Sequence, residues 1–252
     1  MITPLNLRVI GKGPPLVMLH GWGWHSGIWQ PLVPYLAEKF QLFLVDLPGF
    51  GQSPLLSPHY SITEITNLLL AITPPHSIWL GWSLGGMIAW HIAIHHPERV
   101  SQLITVASSP KFMSTPDWPG VAPHTIEKFA NSLVQNYQIT LEEFLELQLR
   151  GSPKNQVLLT ELRKQITTSS HTTPALLGSL GLLRDMDLRA ELTKMQCPSL
   201  HLFGSHDTLV PVKVAKLIQP ALLHGKCAII KRAGHIPFLS QMKLFLDYLL
   251  LN

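Results

Sequence analysis

The stretch Gly81-Trp82-Ser83-Leu84-Gly85-Gly86 constrains this chain more than any other. Before it, Ser77-Ile78-Trp79-Leu80 is short and apolar and reads as a buried strand. After it, Met87 to Ala93 reads as a helix. A serine on a tight strand-to-helix turn sits in a strained conformation and needs small neighbours. Gly81 and Gly85 supply that room, and Gly86 lets the helix start close to the sheet. The bland alternative is a glycine-rich turn with a chance serine. The flanking strand and helix weigh against it, because they are the context a nucleophilic serine of this pattern requires.

The rest of the chain suits such a turn. Pro15 to Leu19 is an apolar run ending in His20-Gly21-Trp22-Gly23-Trp24, and Leu42 to Val45 is another, ending in the turn Asp46 to Ser53. Trp29 to Glu38 can form the helix between them. These runs are too continuous for a sheet wetted on one face, so they predict a parallel sheet covered by helices. Ile62 to Ile72 reads as a helix and Val100 to Val106 as a strand. From Lys111 to Met186 the pattern offers no strand, only helical stretches over Thr125–Tyr137, Thr140–Arg150, Asn155–Thr167 and Pro174–Arg184. Thr140 with Glu143 fits a capping box at the second of these. Strands resume at Ser199–Phe203 and Cys227–Lys231, with helices over Val212–Leu223 and Leu239–Leu251. The expected organisation is a core of residues 1–110 and 187–252, interrupted by an all-helical cap over 111–186.

Composition narrows the function classes. With 252 residues, 46% hydrophobic and 13% charged, the chain buries a large core and is not disordered. No apolar run has bilayer-spanning length, and Met1 to Arg8 lacks the basic-then-apolar pattern of a signal peptide. The expectation is therefore a cytoplasmic protein with no membrane partner, taken as a monomer. A net charge of +4 with no block of like charge weighs against nucleic acid. Cys197 and Cys227 are too few for a disulfide framework or a metal site and read as buried free thiols. His91 and His95 have the i, i+4 spacing of zinc ligands, but no third ligand accompanies them, and a plain helix face is the reading. Gly49-Phe50-Gly51 is an incomplete dinucleotide fingerprint, so Asp46 to Ser53 reads as a structural turn. No metal and no cofactor are expected.

A serine needs a base. In enzymes built on this turn the chain order is serine, acid, histidine. Asp207 follows the Ser199–Phe203 strand and His235 follows the Cys227–Lys231 strand, which puts both at carboxyl ends of parallel strands, on the edge that carries Ser83. The competitors fit less well: His206 precedes the acid, and Asp187 does not directly follow a strand. The oxyanion of an acyl-transfer intermediate needs backbone N–H donors. Leu84, next after the nucleophile, supplies one, and Trp22 in the His20–Gly23 loop supplies the other. Trp24 and Trp82 would add apolar wall.

These residues resemble the α/β-hydrolase superfamily over essentially the full length, on His20-Gly21, the Asp46–Gly51 turn, Gly81–Gly86 and Gly234-His235. Within it the chain is similar to the carboxylesterases of biotin synthesis that cleave pimeloyl-acyl-carrier-protein methyl ester. That likeness rests on His20-Gly21-Trp22-Gly23, Gly81–Gly86, Asp117-Trp118-Pro119-Gly120 and Phe144-Leu145-x-Leu147-Gln148. The resemblance implies an α/β-hydrolase fold with a helical cap, and Ser83, Asp207 and His235 as the triad. It also implies an acyl site made by Trp22, Ser83, Leu84, His235 and the cap segment Phe144, Leu145, Glu146, Leu147 and Gln148. The partners it implies are an acyl-carrier protein and small ester substrates. The family is expected to hold its acidic carrier and the carrier's phosphopantetheine with basic cap residues. Here Glu142, Glu143 and Glu146 flank Phe144, leaving Arg150, Lys154, Arg163 and Lys164 as candidates. The alternatives are a general short-chain carboxylesterase, a carbon–carbon hydrolase, a lyase-like relative of menaquinone synthesis, and a non-catalytic ligand receptor.

Overall fold

The apolar runs are buried as one sheet. The structure is a computed structural model describing residues 5–55, 60–152, 156–168 and 171–250. Its strands are β1 (Leu7–Ile10), β2 (Pro15–Leu19), β3 (Gln41–Val45), β4 (Ser77–Trp82), β5 (Val100–Val106), β6 (Ser199–Gly204) and β7 (Gly225–Ile230). They are ordered β1-β3-β2-β4-β5-β6-β7, and every neighbouring pair is parallel except β1 with β3. The inner strands are buried almost end to end, as a sheet covered on both faces requires. The antiparallel β1 has no apolar run to betray it, because Arg8 and Val9 are exposed at the sheet edge.

The helices are α1 (Val33–Leu36), α2 (Ile62–Ile72), α3 (Leu84–His95), α4 (Pro123–Leu149), α5 (Gln156–Thr168), α6 (Thr173–Asp185), α7 (Lys213–Ile218), α8 (Pro237–Ser240) and α9 (Met242–Leu250). α3 is the central one: ten of its twelve residues are buried, and it packs on β2, β4 and β5.

Several expected elements are redrawn. The helix over Trp29–Glu38 is instead a 3-10 segment, Ser26–Leu32, followed by the single turn α1, since Pro31 and Pro34 cannot donate to a regular helix. The two helices expected over 125–150 are one element, α4, kinked at Asn136 (φ −157°, ψ 93°). The cap at the kink is not Thr140: Asn136 Oδ1 accepts from Ile139 N–H at 3.2 Å, while the Thr140 hydroxyl donates back to Asn136 O at 2.9 Å. The closing helix is split at Gln241 (φ −139°, ψ 48°) into α8 and α9. Cys197 is buried, but Cys227 on the edge strand β7 is only half-buried. Met1 to Pro4, Lys154, Asn155 and Leu251 lie outside the described residues.

Between β5 and β6 the described chain forms α4, α5, α6, a 3-10 segment over Arg189–Lys194, and isolated bridges, among them Lys111 with Asp187, Met113 with Val121 and Thr115 with Trp118. Polar contacts tie these helices to the sheet's carboxyl edge. Trp22 Nε1 donates to Leu176 O (3.0 Å), Trp24 Nε1 to Gln148 Oε1 (2.9 Å) and Thr172 N–H to Gly49 O (3.2 Å).

Candidate active site

Ser83 sits at the step from β4 to α3 with φ 54° and ψ −116°, a region costly for any residue with a side chain. The turn closes only because glycine stands at 81 and 85. A Cβ on Gly81 would collide with the Gly85 carbonyl, and one on Gly85 would meet the Leu19 and His20 carbonyls. The main chain anchors it from β5: Ser83 N–H donates to Val106 O (3.0 Å), and the Ser108 hydroxyl to Ser83 O (2.8 Å).

The loops after β6 and β7 bring two side chains to that serine. His235 Nε2 is 2.9 Å from Ser83 Oγ, and His235 Nδ1 is 2.8 Å from Asp207 Oδ2. Asp207 Oδ1 accepts from the N–H groups of Leu209 (2.9 Å) and Val210 (3.0 Å), which fixes the carboxylate plane. An ionised carboxylate only accepts, so Nδ1 carries the imidazole proton and Nε2 is left to accept from the serine hydroxyl. All three side chains are buried. Trp82, beside the nucleophile, donates from Nε1 to His235 O (2.8 Å), and His235 N–H donates to Gln148 O (3.2 Å), so both the core and α4 hold the histidine loop.

The loop after β2 begins against the start of α3, where a Cβ on Gly85 would meet the carbonyls of Leu19 and His20. Leu84 opens α3, where the first four N–H groups have no acceptor within the helix. His20 secures this loop as a neutral imidazole. Its Nδ1 donates to Gly21 O (2.8 Å), its Nε2 accepts from Leu47 N–H (2.9 Å), and burial pushes its pKa down to about 4. Below it, the Asp46 carboxylate accepts from Ser26 N–H (2.7 Å), Asn6 Nδ2 (2.7 Å) and Gln52 N–H (3.0 Å), which makes Asp46–Ser53 a turn held from inside.

A narrow cavity lies over Ser83 and His235. Trp22, Phe112, Val121, Phe129, Phe144 and Leu209 form much of its wall, with Ile126 on α4 and Leu180 and Leu183 on α6. Apart from Ser83 and His235 the lining is apolar, which suits a methylene chain. The i, i+3 pairs Ile126/Phe129 and Leu180/Leu183 could have been read as helix stripes, but Phe112 and Val121 lie in an irregular segment that carries no periodic signal.

Of the five cap positions taken for the acyl site, the structure brings only Phe144 to the cavity, with its ring edge-on to Trp22 at 4.7 Å. Leu145 is buried and Leu147 half-buried, neither among the lining residues. Glu146 is exposed and pairs with Arg163 at 3.1 Å. Gln148 is fully buried, but its side chain faces Trp24. Trp24 and Trp82 stand behind the wall and not in it. Asp187 is taken up by Lys111 and Arg189, and His206 by the Gly151 carbonyl. The His91 and His95 rings lie 4.4 Å apart, with Thr66 and Glu191 as their neighbours. Among the described residues no three metal-ligating side chains converge.

The sequence profile of the α/β hydrolase fold matches residues 14–241. Pimeloyl-[acyl-carrier protein] methyl ester esterase of Vibrio vulnificus is 40% identical over 251 residues, covering 99% of this chain and 98% of that protein. The protein of that name from Aeromonas hydrophila is 40% identical over 245 residues, 96% of each chain. Among solved structures, an esterase from Exiguobacterium antarcticum superposes with a TM-score of 0.89 over 98% of this chain and 94% of that one, at 24% identity, which is a likeness of fold. On a profile match over residues 14–241 and 40% identity over nearly the full length, the chain belongs to the α/β hydrolases and, among them, to the family of pimeloyl-[acyl-carrier protein] methyl ester esterases.

Proposed function

We propose that this protein is a serine carboxylesterase that hydrolyses the methyl ester of pimeloyl-acyl-carrier protein, giving pimeloyl-carrier and methanol in biotin synthesis. The observation that carries the reading is the continuous Ser83–His235–Asp207 hydrogen-bond chain at the floor of an apolar cavity. His235 Nε2 takes the Ser83 proton as Oγ attacks the ester carbonyl, and Asp207 holds the imidazole and stabilises its charged form. The Trp22 and Leu84 N–H groups receive the developing oxyanion. Collapse expels methoxide, which leaves as methanol with the proton from His235. Water, deprotonated by His235, then attacks the acyl-enzyme, releases the free carboxylate and restores Ser83. Residues 111–186 act as the cap that closes the acyl site.

Dehalogenase and epoxide hydrolase chemistry is disfavoured, since it uses an aspartate where Ser83 stands. A lyase-like use of Ser83 as a base would form no covalent intermediate. The test is to incubate the protein with pimeloyl-carrier methyl ester and follow the carrier by mass spectrometry. Loss of one methylene with the thioester intact, abolished in Ser83→Ala, is the expected result. Turnover that survives Ser83→Ala refutes the assignment, and hydrolysis of short activated esters alone refutes the substrate.

A further inference from the structure

The last turn of α4 and the three residues after it reach both loops that carry the acid and the base. Gln148 Oε1 accepts from Trp24 Nε1 (2.9 Å), which pins the helix end to the loop after β2. Gln148 O accepts from His235 N–H (3.2 Å), and Ser152 Oγ accepts from Gly234 N–H (3.0 Å). His206, one residue before Asp207, donates from Nδ1 to Gly151 O (3.0 Å).

Two glycines let these contacts run backbone to backbone. Gly151 holds φ at 79°, and a Cβ there would collide with His206. A Cβ on Gly234 would meet Arg150 O and Ser152 Oγ. The two loops also meet each other: His206 N–H donates to Ala233 O (2.9 Å), and Arg232 N–H to Ser205 Oγ (2.9 Å). Three segments far apart in the chain, 148–152, 204–207 and 232–235, therefore pack as one unit. Gly234 is buried, so its N–H is left without a partner if Ser152 Oγ is taken away.

We infer that residues 148–152 are a strap that sets the Asp207 and His235 loops in register with Ser83, and that Ser152 is its positioning residue for the base. His235 follows Gly234 directly, and its ring must reach Ser83 Oγ at 2.9 Å and Asp207 Oδ2 at 2.8 Å at the same time. A small shift of the Gly234 backbone changes both distances, and a base out of hydrogen-bond reach takes no proton. Phe144 stands one turn before Gln148 on α4 and lines the cavity, so the helix that meets the acyl chain also seats the base. The inference rests on the serine-esterase reading and adds to it residues that touch neither the substrate nor the reacting atoms.

Ser152→Ala removes the acceptor of the Gly234 N–H, and Ser152→Thr keeps a hydroxyl in its place. With p-nitrophenyl butyrate, kcat is expected to fall about tenfold or more in Ser152→Ala, with KM within about twofold of the parent, because the ester still meets the same cavity. Labelling of Ser83 by a fluorophosphonate reads the nucleophile without turnover and is expected to slow by a similar factor. Ser152→Thr is expected to recover both rates to within about threefold of the parent, a rescue that a general loss of stability would not predict. Parent-like rates in Ser152→Ala overturn the inference, as does a rise in KM alone. So does a folded Ser152→Thr that stays as slow as the alanine variant. If Ser152→Ala does not fold, His206→Ala decides: its side chain is exposed, and losing the bond to Gly151 O is expected to slow labelling about threefold or more, so parent-like labelling there overturns the inference. If the unmodified protein neither hydrolyses the ester nor takes the label at Ser83, the esterase reading itself falls, and this inference with it.

Discussion

Replacing Asp207 with asparagine exchanges one atom and should stop His235 from acting as a base. Asp207 Oδ1 accepts from two backbone N–H groups, at 2.9 and 3.0 Å, and Oδ2 faces His235 Nδ1 at 2.8 Å. An amide nitrogen cannot accept a hydrogen bond, so the amide oxygen must take the Oδ1 position and the NH2 group must face the imidazole. His235 Nδ1 then becomes an acceptor, its proton moves to Nε2, and that proton points at Ser83 Oγ, 2.9 Å away. No lone pair remains there for the serine proton. The opposite amide orientation would restore the base but leave both backbone donors unsatisfied, at about 1–3 kcal/mol each. About 4 kcal/mol confines that productive rotamer to roughly one molecule in 10³. We therefore expect kcat for p-nitrophenyl butyrate to fall about 10³-fold, within the roughly 10⁴ known for a wrong-tautomer triad. Both backbone caps survive the substitution, so the thermal melting midpoint should stay near that of the parent. A variant that melts normally yet keeps more than about a tenth of the parent kcat would refute the tautomer argument.

The structure sets three further expectations. His20 and His201 are fully buried, and burial pushes their pKa values down to about 4 and about 3. Each is neutral in the folded protein but takes a proton near pH 6.5 once unfolded. Their contribution is complete above that pH and is lost as pH falls toward 4, at about 1.4 kcal/mol per pH unit for each group. Urea midpoints should drop steeply from pH 6.5 to 4.5, and a flat profile would show that the imidazoles are not buried neutral. Gly85→Ala should prevent accumulation of folded protein, because the added methyl meets rigid backbone carbonyls of β2 and the following loop; a variant that expresses in soluble form with parent-like circular dichroism contradicts that packing. Asn136→Ala removes the side chain that caps the second half of α4 and should destabilise by about 1 kcal/mol, seen as faster amide exchange over 137–145; unchanged exchange there would show that the cap carries no weight.

Much of the fold and site was legible from local pattern. β4, the glycine turn and α3 announced themselves because a buried parallel strand is apolar end to end, and a nucleophile on such a turn tolerates little but glycine around it. Asp207 and His235 followed from chain order and from their places after strands. The helices between β5 and β6 were harder to read. Phe144 was the one residue of its pentapeptide brought to the cavity, whereas Glu146 and Gln148 were turned to solvent and to Trp24 by helix rotation. The second half of α4 starts from the kink at Asn136, and a capping signal at Thr140 pointed one turn too far along.

The sequence by itself determined the parallel α/β core, the serine turn, the family and the order of serine, acid and histidine, because each depends on residues adjacent in the chain. Only the tertiary structure decided how those parts meet. It set the 2.8 and 2.9 Å contacts of His235, the Trp22 and Gln148 bonds that tie the loop after β2 to α6 and α4, and the cavity wall built from Phe112, Ile126 and Leu180. The reason is physical: apolar periodicity records which face of an element is buried, whereas a cavity is made by side chains from elements far apart in the chain, whose rotations and kinks are settled by the packing of the whole.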